Sequence, residues 1–174
     1  ECPGVVYYLP TPKSPHGVDV DPSGELITAG GKLASLIPVF SYTKMVKAIE
    51  DKAFDGDASG VPILKYDAVI AGEVKEPGLG PLHTEFDGKG FAYTSLFLDS
   101  QVAKWKIGTW EVVDKIDVYY SIGHLSVAEG ATMNPTGEYL LALDKLSKDR
   151  YLPVGPLHPE NEVLIDITGD KMKT

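Results

Sequence analysis

Pro15-His-Gly-Val-Asp-Val-Asp-Pro-Ser-Gly24 runs directly into Glu25-Leu-Ile-Thr-Ala-Gly-Gly-Lys32. Two β-prone runs, 17–21 and 25–29, flank an Asp21-Pro-Ser-Gly24 turn, and Gly30-Gly31 predicts the end of the second. The same layout recurs twice. His83 stands before Glu85-Phe-Asp-Gly-Lys-Gly90, and His124 stands before Asn134-Pro-Thr-Gly137. Each unit then runs through a strand-like segment towards a basic residue, Lys32, Lys104 or Lys145. The pattern is that of an internal repeat carrying one imidazole where a strand begins. Repeats arranged around an axis can bring His16, His83 and His124 to one centre, which suits metal ligation and is a poor design for an apolar core.

Working outward, 36–40 predicts a third strand, with Pro38 marking an edge position. Thr43 is placed to cap a helix over 44–53, where Met45, Ala48, Ile49 and Ala53 recur at helical spacing. This is the one convincing helix, an insertion in a β framework. Further strands are predicted at 62–65, 67–71, 91–98, 101–106, 111–120, 138–144 and 163–167, with alternation over 101–106 suiting a half-exposed strand. Many short strands between Gly, Pro and Asp turns predict an all-β propeller or barrel. The histidines are 67 and then 41 residues apart, and this unequal spacing favours a propeller bearing blade insertions over a regular solenoid.

A length of 174 residues suffices for one substantial core. The ends, Glu1-Cys-Pro-Gly4 and Asp170-Lys-Met-Lys-Thr174, read as those of a segment of a longer protein. The formal charge of −9 comes from 25 acidic against 16 basic residues spread along the chain, so nucleic acid is not an expected partner. The densest basic stretch, 44–52, also holds Glu50 and Asp51 and reads as a solvated helix face. No apolar run is long enough to cross a bilayer. The single cysteine, Cys2, excludes an internal disulfide and multi-cysteine metal motifs.

Neutral imidazole serves copper and zinc well. The pattern alone leaves two readings open for the three histidines, metal ligands or ordinary turn and surface residues. His158, in Gly155-Pro-Leu-His-Pro-Glu160, imitates Gly80-Pro-Leu-His83 but lacks the following Asp-Gly turn, and reads as a surface or supporting residue. Glu160 is a hard oxygen donor suited to calcium, in company with a carbonyl near Lys145, or else a solvated loop carboxylate. No serine lies in a nucleophile-elbow context, Gly30-Gly31-Lys32 lacks the spacing of a phosphate-binding loop, and adjacent Glu50 and Asp51 do not face each other as a glycosidase pair. A zinc hydrolase would need three convergent histidines, an open water position and a base, a role for which no motif marks Glu85.

The stretches Ser14-Pro-His-Gly-Val-Asp-Val-Asp-Pro-Ser-Gly24, Gly30-Gly-Lys-Leu-Ala34, Phe40-Ser-Tyr-Thr-Lys-Met45, Gly78-Leu-Gly-Pro-Leu-His-Thr-Glu-Phe-Asp-Gly88 and Tyr119-Tyr-Ser-Ile-Gly-His124 resemble the propeller domain of nitrous-oxide reductases. The similarity continues through 143–150 and 164–172, so it covers nearly the whole chain. The compact stretch between Trp105 and Tyr119 resembles the atypical branch of that family. The resemblance implies an all-β, partial seven-bladed propeller with a short helical insertion, residues 1–174 being part of the N-terminal copper-centre domain. It implies a periplasmic enzyme in which seven histidines hold a four-copper sulfide cluster that reduces nitrous oxide to dinitrogen and water with two electrons and two protons. The copper ligands in the matching motifs fall on His16, His83 and His124, and calcium ligands on the Lys145 carbonyl and Glu160, whereas His158 matches no copper ligand. The remaining histidines are expected outside this chain. So is a C-terminal cupredoxin domain, with the two-copper centre through which a periplasmic donor delivers electrons. The family's homodimer joins that centre to the partner's propeller. The alternative is a noncatalytic propeller module that binds another protein.

Overall fold

A computed structural model describes residues 4–145 and 161–174; Cys2, His158 and Glu160 lie outside the described residues. Thirteen strands and two helices are present among them, with every paired strand in the three main sheets antiparallel. The first sheet has the order β1 (Pro15–Val20), β2 (Leu26–Gly31), β3 (Leu36–Ser41) and β6 (Ile70–Lys75). Between β3 and β6 the chain makes α1 (Tyr42–Glu50), a hairpin of β4 (Phe54–Ala58) and β5 (Val61–Leu64), and the single turn α2 (Tyr66–Val69). The second sheet is a meander of β7 (Pro81–Phe86), β8 (Phe91–Leu96), β9 (Gln101–Lys106) and β10 (Val112–Asp117). The third joins β11 (Ile122–Val127), β12 (Tyr139–Asp144) and β13 (Glu162–Asp166), and Asp166 bridges on to Lys173.

The three sheets stack through apolar faces, with the second in the middle. Ile37, Val39 and Val74 of the first sheet meet Phe86, Ala92 and Trp105 of the second. On the other face, Tyr93 and Val102 meet Ile122, Val127, Leu140, Ala142 and Ile165 of the third. Because side chains alternate along a strand, Ala92 and Tyr93 serve opposite cores, and β8 is buried almost throughout. The same position makes β9 a buried strand, not the half-exposed one its alternation predicts. Its polar side chains are satisfied internally: the Trp105 indole N–H donates to Thr94 Oγ1 at 2.9 Å, and Lys104 Nζ donates to the Gly169 carbonyl at 2.9 Å. Lys104 is therefore a buried tie between the second and third sheets and does not share the strand-end position of Lys32 and Lys145.

Four other expectations shift. Pro38 lies in β3, which pairs on both sides. It escapes the cost of its missing N–H because the β2 ladder runs only from Ser41 to Val39. The helix begins before the predicted Thr43 cap. Ser41 Oγ accepts from the Lys44 N–H at 3.1 Å, and Glu25 Oε2 accepts from Thr43 Oγ1 at 2.7 Å, anchoring the first turn to the sheet. Residues 67–71, expected as a strand, open with α2, whose Tyr66 donates to Glu73 at 2.7 Å. Gly30 and Gly31 belong to β2 and do not follow it.

The result is antiparallel sheet with a small helical insertion, consistent with a propeller-repeat fold. The described sheets do not close into a ring. Their first strands nevertheless lie side by side, β7 being flanked by β1 and β11. This adjacency of β1, β7 and β11 is what brings the repeated histidines together.

Candidate metal centre

His16 is in β1, His83 in β7 and His124 in β11, and each falls within a break in strand register. Pro15 and Val18 face Gly31 and Ala29, Pro81 and Thr84 face Leu96 and Thr94, and Ile122 and Leu125 face Asp144 and Ala142. In each case the first strand carries one more residue than its partner, which defines a β-bulge. A bulge leaves a residue outside the ladder and turns its side chain away from the regular alternation. The device is used three times, and it directs three imidazoles to one place.

The His16 and His83 rings meet edge to face with centroids 5.2 Å apart, and those of His83 and His124 stack at 4.3 Å with 22° between planes. Glycines allow this approach. A Cβ on Gly30 would lie 2.5 Å from the His16 carbonyl oxygen and 2.6 Å from that of Pro81, and one on Gly17 would strike the Leu82 carbonyl. Gly17 also has φ +75°, the left-handed conformation that glycine adopts without penalty.

His83 is the central ring, in contact with both of the others. Its backbone N–H donates to Ser95 Oγ at 3.2 Å, and its Nδ1 lies 3.7 Å from Asp19 Oδ1. Its Nε2 is buried without a hydrogen-bond partner among the described residues. An orphaned, buried imidazole nitrogen is costly in isolation and is the atom a metal would satisfy. At His16 the arrangement differs. Lys145 Nζ is 2.9 Å from Nε2, and an ammonium can only donate, so Nε2 is the acceptor. Burial, and then Lys145, hold His16 below its ordinary imidazole value. Burial and His83 do the same for His124, so both favour the neutral form that binds metals. Burial lowers Lys145 as well, with Lys32 adding repulsion.

Among the described residues no three His, Cys, Asp or Glu side chains are arranged to hold a single ion. Ring lone pairs lie in the ring planes, so stacked His83 and His124 do not aim at one atom. That geometry disfavours a mononuclear three-histidine zinc site. Separate neighbouring metals, each taking its own imidazole, are compatible with it. Glu85, two residues from His83, is pushed up to about 7 by burial and by Asp19. It lies next to the cluster, but no contact makes it a base for bound water.

The sequence-predicted His16, His83 and His124 are thus brought together, along with Lys145 and Lys32. The Lys145 backbone N–H donates to the Ser121 carbonyl at 3.0 Å. Asp19, Gly17 and Gly30 were not singled out as site residues. The extra residue in each bulge was equally hidden, because it becomes visible only against the partner strand.

Comparisons with known proteins agree with the repeat. A family described as "Nitrous oxide reductase propeller repeat" matches residues 115–174. The nitrous-oxide reductase of Ralstonia nicotianae is 45% identical over 95% of this chain, and those of Stutzerimonas stutzeri and Cupriavidus necator are each 44% identical over the same share. The chain spans 26% of the length of these curated relatives. A solved structure titled "Crystal Structure of Mitotic Checkpoint Complex" superposes with a TM-score of 0.58 over 91% of this chain and 37% of that one, at 10% identity, a likeness of fold alone. Over nearly its whole length the chain is highly similar to a propeller-region segment of nitrous-oxide reductases.

Proposed function

We propose that this chain is part of the N-terminal propeller domain of a copper-dependent nitrous-oxide reductase, three blades of a seven-bladed ring. His16, His83 and His124 would provide part of the ligand set for a four-copper sulfide cluster. The observation that carries this reading is the convergence of one bulged imidazole from each sheet, with His83 Nε2 buried and without a partner. Imidazole without thiolate suits copper, and the remaining ligands would come from outside these residues. When bound, the cluster would supply the redox chemistry that converts nitrous oxide to dinitrogen and water with two electrons and two protons.

The chain's own residues hold and shield that site. The three bulges fix ring positions, the packed sheets exclude water from one side, and Lys145 Nζ keeps a proton beside His16 Nε2. Ligation through that nitrogen requires Lys145 to withdraw. Calcium at the Lys145 carbonyl and Glu160 is proposed from the resemblance, Glu160 lying outside the described residues. A periplasmic location, a cupredoxin domain carrying a two-copper centre, a periplasmic electron donor and a homodimer complete the proposal. Among the described residues no helix is long and apolar enough to cross a membrane.

The test is single substitution of His16, His83 and His124 by Ala in the complete protein, with copper content, visible spectrum and nitrous-oxide turnover measured. Lower copper, an altered spectrum and reduced turnover are expected in each. Unchanged values in all three would favour the noncatalytic module, as would a complete gene lacking the remaining histidines and the cupredoxin cysteines.

A further inference from the structure

Asp19 lies in β1 just beyond the His16 bulge, and its side chain reaches β7. Its Oδ2 accepts the Thr84 backbone N–H at 2.7 Å, which locks the carboxylate across the junction of the first two sheets. Its Oδ1 lies 3.7 Å from His83 Nδ1, with the two side chains 25% and 22% exposed. That separation is beyond a direct hydrogen bond. A fixed negative charge at that distance still favours the tautomer with hydrogen on Nδ1. The hydrogen-free nitrogen is then Nε2, which is the buried atom without a partner.

We infer that Asp19 is a positioning residue for the copper centre: anchored by Thr84, it selects the Nδ1–H tautomer of His83 and so presents Nε2 to the metal. The inference rests on the copper reading above. It adds that a carboxylate from one sheet sets the ligand of the next. Outer partners of metal-bound histidines typically carry a 10- to 100-fold share of metal affinity. Asp19→Asn retains the shape and can still accept from Thr84 through its amide oxygen. It then turns a neutral NH2 towards Nδ1 in place of the negative charge, removing the electrostatic preference for hydrogen there and with it the bias that leaves Nε2 open to the metal.

The experiment uses the complete, copper-loaded protein and compares wild type, Asp19→Asn, His83→Asn and the double variant. Read-outs are copper retained against a graded chelator, the visible spectrum and the thermal midpoint. The chelator concentration that strips half the copper from Asp19→Asn should fall about 10- to 100-fold, with an altered spectrum. The double variant should be no worse than His83→Asn alone, since Asp19 acts through that ring. Should Asp19→Asn fail to fold, Asp19→Ser keeps a short acceptor without the charge and is read the same way. Wild-type chelator resistance and spectrum in a folded Asp19 variant overturn the positioning role while leaving the copper centre standing. Wild-type copper in His83→Asn overturns the copper reading and this inference with it.

Discussion

Gly30→Ala probes whether close packing of the first two sheets builds the centre. Gly30 is in β2, and a Cβ there would stand 2.5 Å from the His16 carbonyl oxygen and 2.6 Å from that of Pro81, with the Leu82 carbonyl closer still. Ordinary contact begins at 3.4 Å, so both β1 and β7 must retreat by about 1 Å, and all three obstacles are backbone. Overpacking of this kind costs about 1–3 kcal/mol, against which Ala recovers at most about 1 kcal/mol of chain entropy. The larger consequence is local. His16 and His83 are attached to the strands being forced apart, and metal–ligand distances tolerate about 0.2 Å. In the complete protein, Gly30→Ala should unfold at a lower temperature and bind less copper with an altered visible spectrum. Gly24→Ala is the control. It has φ +76° and nothing within 4 Å of a built Cβ, so it should cost about 1–2 kcal/mol through backbone strain and leave copper unchanged. Full copper loading and an unshifted melting curve in Gly30→Ala would refute the reasoning.

Lys104→Met removes a buried ammonium that donates to the Gly169 carbonyl at 2.9 Å and the Asp170 carbonyl at 3.4 Å; denaturant titration should show a loss of about 1.5–3 kcal/mol. Tyr93→Phe deprives the buried Asp87 of a hydroxyl donor at 3.1 Å and should cost about 1–3 kcal/mol by the same measurement, with equal stability counting against a structural role for the pair. Hydrogen bonds from Ser41 and Thr43 hold the Glu25 carboxyl below its ordinary 4.5. Its stabilising contribution is therefore present above that value and lost as pH falls through the lower folded-state value. Melting curves of wild type and Glu25→Gln should differ near neutrality and converge in acid; a gap of constant size across the whole acid range would contradict the assignment.

The three strand starts and the turns at Asp21 and Asp87 were legible because their chemistry is local. Asp21 Oδ1 accepts the Leu26 N–H at 2.8 Å, and Asp87 Oδ1 accepts the Lys89 N–H at 2.7 Å, contacts that any Asp-to-Gly turn can make. Burial of β9 and the interior position of Pro38 were not legible. Both depend on which sheet covers which face, and that is set by residues far away in the chain. Ser41 could not be distinguished from Thr43 as the helix cap without knowing that Glu25 reaches both.

The centre divides along the same line. Three histidines at similar places in a repeat announce convergence, but not how it is achieved. Written from the register breaks, the strand starts align as Pro15-His16-Gly17-Val18, Pro81-Leu82-His83-Thr84 and Ile122-Gly123-His124-Leu125. The imidazole occupies the second place of the first unit and the third place of the others. A regular strand would send those two places to opposite faces. The extra residue relaxes that rule, so rings from different registers can still meet, and glycine beside His16 and His124 supplies room for the adjustment. Reading the repeat by histidine spacing alone misplaces one unit by a residue. Aligning it on the first ladder pair after the bulge, Val18, Thr84 and Leu125, restores the register and identifies Asp19 as the next residue along β1, where it can face the neighbouring strand.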